Sequence, residues 1–321
     1  MTRFRWIAVL VSSSVLAVGV AACGSSDDNG GSGGGDLSGT INIDGSSTVF
    51  PLTQAAAEAF QGENSNVHIT VGESGTGGGF EKFCAGETQI SDASRPIEPE
   101  EISACKKKGI TYDDFQVAND GISVVTNPDL QISCLTTDQL KQLWDKGSKV
   151  TNYSQLGKDA ETGKPLPDAK VSLYGPGTDS GTFDFFTDTI NGVEDRSRSD
   201  YQPSEDDNVL VEGVSGDSDG LGYFGFSYYK ANQDKLNLVK VDSGNGCVAP
   251  SDKTIQDNSY TPLSRPLFIY PNKVDLKKAE VNAFVKYYLD NYANLAATAQ
   301  LVAMTPEQAK KSQDSFQKLA G

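Results

Sequence analysis

Histidine is almost missing from this chain: 321 residues contain one, His68. Gly216 to Gly220 spells GDSDG and fits the G-x-S-x-G pattern of a nucleophile elbow, but an α/β-hydrolase triad needs a histidine after its acid. None follows Ser218. No Asp/His cluster has the spacing of a hydrolytic metal site, and no cysteine is marked as a reactive nucleophile. The expectation is a chain that is not an enzyme and holds no metal or cofactor. Positive charge is also scarce, with 27 Lys and Arg against 43 Asp and Glu and a net charge of −16. Nucleic acid and anionic membrane surfaces are poor partners for such a chain. An anionic ligand would have to be held by dipoles and hydrogen bonds at short range, in a closed, dry site.

Long apolar runs are lacking beyond the N-terminus. Arg3 and Arg5 precede an apolar run from Trp6 to Val20, and Ala21, Ala22 and Cys23 follow. The run is short for a bilayer span and ends on small residues, so residues 1–22 are expected to be an export signal. Val-Ala-Ala-Cys resembles the bacterial lipobox, which implies that Cys23 is the lipid-bearing first residue of the mature protein. Residues 23–37, containing GSSDDNGGSGGG, then read as a flexible tether. Cysteine is sparse as well. Apart from Cys23 there are Cys84, Cys105, Cys134 and Cys247, an even number in an exported chain, which favours two disulfides over metal ligation. Three connectivities are open; Cys84 with Cys105 and Cys134 with Cys247 is the one expected, because each pair falls within one domain of a chain long enough for two.

What the chain has in plenty is Gly, Ser and Thr immediately before helical segments. GSSTVFPLTQAAAEAF from Gly45, GESGTGGGFEKF from Gly72 and GPGTDSGTFDFF from Gly175 share this form. A helix start carries amides without intrahelical partners and the positive end of the peptide dipole, so three such starts converging would make a socket for a small oxyanion. Around them, strand and helix patterns alternate. Gly39–Asp44 and Val67–Gly72 read as strands; Pro51–Gln61, Glu98–Lys107 and a segment starting at Gly79 read as helices. Gly121–Pro128, Val171–Tyr174, Leu221–Tyr229, Leu236–Val241 and Leu263–Tyr270 read as further strands. Thr136 or Thr137 is placed to cap a helix, and the last long helix carries Val281, Phe284, Val285, Tyr288, Leu289 and Tyr292 on one face. The alternation argues for a mainly parallel α/β sheet.

Seven motifs in order, GSSTVFP, GESGTGGG, ISDASRPI, LTTDQLKQLW, YGPGTDSGTFDFF, GLGYFGFSYY and YTPLSRPLFIYPN, resemble the PstS family, the phosphate-binding proteins of bacterial phosphate-specific ABC importers. The resemblance covers nearly the whole mature chain. It implies a two-lobed periplasmic-binding-protein fold of type 2, each lobe a mixed, mainly parallel sheet flanked by helices. Two crossing segments, near residues 119–124 and 260–266, would join lobe one (38–119 with 262–321) to lobe two (120–261). It also implies a monomer at the extracytoplasmic face, delivering inorganic phosphate to permease subunits.

Carried over by motif, the phosphate site comprises Ser47, Thr48 and the backbone to Phe50; Ser74; Ser94 and Arg95; and Ser180, Gly181 and Thr182. Many relatives place Asp where Arg95 stands and Arg where Pro176 stands, so a cation has moved between lobes. Phosphate at neutral pH keeps a proton that sulfate lacks, so one carboxylate acceptor separates the two anions. Asp179 is the expected acceptor, ahead of Asp44 and Asp92. The aromatic run Tyr223, Phe224, Phe226, Tyr228 and Tyr229 reads as core strand.

Overall fold

A computed structural model describes residues 37–178, 180–204 and 206–320. The expected signal, Cys23 and nearly all of the tether lie outside the described residues, as does Asp179. Strand β1 (Gly39–Gly45) turns Ile41 and Ile43 inward, and α1 (Phe50–Glu63), started by Pro51, buries Leu52, Ala56, Ala57 and Phe60 against it. β2 (Val67–Val71), α2 (Gly75–Ala85), β3 (Ile90–Ala93) and α3 (Pro99–Lys108) complete the first half. α2 starts four residues earlier than the Gly-rich run suggests. Its glycines serve packing: a Cβ on Gly79 would stand 2.4 Å from the Gly45 Cα, so only a bare backbone lets α2 lie against the end of β1.

β4 (Phe115–Thr126) is twelve residues long and changes partners midway. The middle of the chain then adds β5 (Cys134–Thr136), α4 (Thr137–Trp144), β6 (Ser172–Pro176), α5 (Gly181–Phe186), β7 (Gln202–Ser204) and α6 (Asp207–Gly216). β8 (Gly220–Gly225), α7 (Phe226–Ala231), β9 (Asn237–Asp242), β10 (Cys247–Val248) and α8 (Asp252–Gln256) follow, then β11 (Ser264–Pro271), α9 (Ala279–Asp290), α10 (Tyr292–Thr298) and α11 (Pro306–Ala320). Thr136 caps α4 reciprocally with Gln139. The expected strand Leu221–Tyr229 ends at Gly225, where its partner β4 leaves it, and Phe226 opens α7 instead. Tyr223 and Phe224 are core strand residues, while Tyr228 and Tyr229 sit half-buried on that short helix. α9 is not the last long helix. α11 follows it, with Ala309, Ser312 and Phe316 as its buried positions, too few apolar residues to stand out in the sequence.

The main strand path runs β2-β1-β3-β11-β4-β8-β6-β7, with β9 pairing β4, β5 and β10. β1 is parallel to β2 and β3, and β6 to β7 and β8; β11 lies antiparallel to β3 and β4, and β4 to β8 and β9. One core gathers Ile41, Leu52, Phe60, Val117, Leu267 and Phe284; another gathers Val124, Leu140, Trp144, Phe186, Tyr223 and Val239. Phe115 to Gly121 of β4 pair with β11, and Ile122 to Thr126 pair with β8 and β9, so this strand passes from one core to the other. The disulfides are Cys84–Cys105, joining α2 to α3, and Cys134–Cys247, joining β5 to β10.

Candidate functional site

The chain leaves β1 and β3 toward opposite sides, through α1 and α3, and the turns beyond their C-terminal ends open onto one crevice, the usual ligand position in such sheets. In the turn after β1 the Ser46 amide donates to the Asp92 carbonyl at 3.0 Å. The Val49 and Phe50 amides return to the Ser46 carbonyl at 3.1 and 2.9 Å. The Phe50 backbone, expected to donate to a ligand, is therefore already engaged. The amides of Ser47 and Thr48 have no hydrogen-bond partner among the described residues. Without a partner in the fold, these two amides are the backbone donors this turn can offer a ligand.

Ser74, before α2, is turned toward Asp44: its amide donates to Oδ1 at 3.1 Å, its hydroxyl donates to the same oxygen, and Lys82 Nζ stands 2.6 Å from Oδ2. Burial alone would raise the Asp44 carboxyl, but the Lys82 and Ser74 hydrogen bonds outweigh it and hold the group below the ordinary carboxylate range. Asp44 is thus an ionised anchor for the second turn. Asp92 is fully buried, and burial pushes it up to about 8; it lies beneath the first turn rather than in the crevice. Ser94 shares its hydroxyl with Thr76 at 3.0 Å. Arg95 reaches the crevice, yet its guanidinium forks onto Glu101 at 2.8 and 2.9 Å, with Glu98 at 3.3 Å.

From the other half, Ser180 caps α5 by accepting from the Thr182 amide. Gly181 lies directly against the first turn of the other half. A Cβ there would fall 2.6 Å from the Ser47 hydroxyl, 2.7 Å from the Thr48 hydroxyl and 2.9 Å from the Thr48 amide nitrogen. α5 has only six residues, so its contribution is this approach and its local donors rather than a long helix dipole. Ser47, Thr48, Ser74, Ser94, Arg95 and Gly181 line one cavity of about 480 Å³. Ser180 and Thr182 line a smaller one of about 340 Å³ that shares Ser47, Thr48 and Gly181. Phe50 lines neither.

Four charged residues of the larger cavity are not marked by the sequence motifs: Asp184, Asp188, Glu194 and Arg265. Asp184, on the first turn of α5, is 3.4 Å from the Ser47 hydroxyl. Burial, then the neighbouring acids Glu194 and Asp195, push its carboxyl up to about 6 against the opposing pull of Ser47 and Arg265. Arg265, on β11, stands in register opposite Asp120 of β4 and points into the same cavity. Its signal was a charge inside an otherwise apolar strand, LSRPLFIY. GDSDG is no elbow: it leads from α6 into β8, helix to strand, the reverse of the order that presents a nucleophile. Among the described residues no group of three or more His, Cys, Asp or Glu is placed to hold a metal ion, and no helix is long and apolar enough to cross a membrane.

This architecture and cavity have counterparts. The family model described as a PBP superfamily domain matches residues 30–291. Protein SphX of Synechococcus elongatus is 45% identical over 267 residues, covering 82% of this chain and 77% of SphX. The phosphate-binding protein PstS of Staphylococcus aureus is 38% identical over 316 residues, covering 98% of this chain and 91% of PstS. The crystal structure of a possible phosphate binding protein from Planctomyces limnophilus superposes with a TM-score of 0.82 at 43% identity, covering 89% of this chain and all of that one. Likeness over nearly the full length, and turns from two halves of a mixed sheet closing on one crevice, give the same answer: the chain belongs to the PBP superfamily and, within it, to the PstS-type proteins.

Proposed function

We propose that this protein binds inorganic phosphate outside the cytoplasm and presents it to the membrane subunits of an ABC importer. The observation that carries this reading is the meeting of Ser47 and Thr48 with Gly181 in a cavity rich in hydroxyl groups. Ser47 and Thr48 donate through their amides and Ser94 through its hydroxyl, Ser74 is held by Asp44 and fixes the shape of the second turn, and Ser180, Gly181 and Thr182 complete the shell from lobe two. Charge-assisted hydrogen bonds are worth about 1.5–3 kcal/mol each before ordering costs, so a handful supports micromolar affinity. Asp184 is the carboxylate that accepts the phosphate proton. Of the cavity's acids Asp184, Asp188 and Glu194, Asp184 is the one beside the Ser47 hydroxyl, whereas Asp44 is occupied by Lys82 and Ser74 and Asp92 lies beneath the turn.

In this reading the lobes are 38–119 with 262–321 and 120–261, phosphate binds one lobe first, and closing of the other completes the shell for the permease to recognise. Residues 1–22 are removed on export and Cys23 carries the lipid that holds a monomeric protein at the membrane; Cys23→Ser would release it into the medium. Titration calorimetry on protein stripped of ligand by unfolding and refolding tests the central claim. The expected result is one phosphate per chain at micromolar affinity or tighter, with sulfate at least about 100-fold weaker. Absence of phosphate binding by correctly refolded protein refutes it.

A further inference from the structure

We infer that Arg265, supplied by the crossing strand β11 and by neither lobe's binding turns, is the cation that meets the bound anion and carries most of the charge recognition. The inference rests on the phosphate reading above. Arg265 lines the cavity, and its side chain is only 15% exposed. A buried guanidinium demands compensation: Asp120, Asp184 and Asp188 surround it with negative charge, but its hydrogen bonds to the described residues use only part of its donors. Among the described residues its one carboxylate hydrogen bond runs from Nε to Asp120 at 3.3 Å, while Nη2 donates to Thr48 Oγ1 at 2.7 Å and reaches the Gly181 carbonyl at 3.5 Å. Every hydrogen bond to described residues leaves from Nε or Nη2, so the second fork of the guanidinium is left for a guest.

The surroundings hold the group in one plane. Its central carbon lies 3.7 Å from the Phe185 ring centroid, and Asp120 faces it in register across the strands. Arg95 also lies over a ring, that of Phe80 at 5.9 Å, but it differs in exposure and in pairing. It is 35% exposed, is satisfied by two-pronged pairing with Glu101, and would have to give that up to reach a ligand. Arg265 also touches both halves at once, Thr48 from one and Gly181 and Phe185 from the other, so an anion drawing on its free fork engages both.

Phosphate titrations of four proteins decide this: the unmodified chain, Arg265→Gln, Arg265→Lys and Arg95→Gln, each with circular dichroism and thermal unfolding to verify the fold. The expected losses in affinity are about 100-fold for Arg265→Gln and about tenfold for Arg265→Lys, which keeps the charge but not the fork, against less than about threefold for Arg95→Gln. A folded Arg265→Gln within about threefold of the unmodified chain overturns the inference, and so does a larger loss from Arg95→Gln. If Arg265→Gln does not fold, Arg265→Lys decides alone, and unchanged affinity overturns it. Failure of the unmodified chain to bind phosphate would instead remove the functional reading on which it rests.

Discussion

Gly181 carries no side chain at the point where two distant stretches of sequence come within contact distance. Hydroxyl groups can rotate away from an added methyl, but the Thr48 amide nitrogen, 2.9 Å from where a Cβ would stand, cannot. Gly181→Ala is therefore expected to weaken phosphate binding about tenfold or more by calorimetry, with the melting temperature nearly unchanged because each half keeps its own core. Asp184 offers a second test at this scale. Its folded-state carboxyl, pushed up to about 6 from an ordinary value of 3.8, is easier to protonate than in the unfolded chain. The native state is favoured by that proton at low pH, and the benefit is lost as pH rises from about 4 through about 6. Asp184→Asn should consequently raise the melting temperature at pH 7.5 by about 2–4 °C, a modest amount because the group is half-exposed and screened, and should leave it unchanged at pH 4. An equal shift at both values would mean that charge is not the cause.

Among the elements, the turns of the first half owe their shape to what lies beneath them. Ser46 is tied to the β3 backbone, Ser74 to an ionised Asp44, and Gly79 lets α2 close on β1, so the donors are set before any ligand arrives. In the second half the small strands β5 and β10 are secured covalently. Cys134–Cys247 spans 113 positions and Cys84–Cys105 spans 21. On the chain-entropy account the longer closure stabilises more, about 4–5 kcal/mol against about 3 kcal/mol. Replacing Cys134 and Cys247 together by Ser should lower the urea midpoint more than replacing Cys84 and Cys105, and the reverse order would show that native packing, not loop closure, dominates.

For the whole molecule, β4 and β11 are the structural link between cores and also the source of Asp120 and Arg265. A ligand held by residues from both cores stabilises the assembled state by mass action, by about 2.7 kcal/mol at a hundredfold excess over its dissociation constant. Phosphate at that excess should raise the melting temperature by several degrees, while sulfate at the same concentration should not, because it has no proton for Asp184 to accept. Equal shifts for the two anions would count against Asp184 as the discriminating group.

Local patterns were enough to recognise the strand-turn-helix order, the amphipathic faces of α1 and α9, the Thr136 cap and the family, because each depends on neighbours in sequence. That Ser47, Thr48, Ser74 and Gly181 line the cavity was legible for the same reason, as small residues before helices, and Ser94 was legible through the family motif. The spent amide of Phe50, the attachment of Ser74 to Asp44, and the fork of Arg95 on Glu101 depend on which groups fold beside them. Arg265 shows the division best. In sequence it is one charge in an apolar strand; only the pairing of β11 with β4, across 145 positions, places it opposite Asp120 and between Thr48 and Gly181. Composition and periodicity record what a residue prefers locally, whereas a binding site is made of distances between residues far apart in the chain, and those exist only once the sheet has chosen its partners.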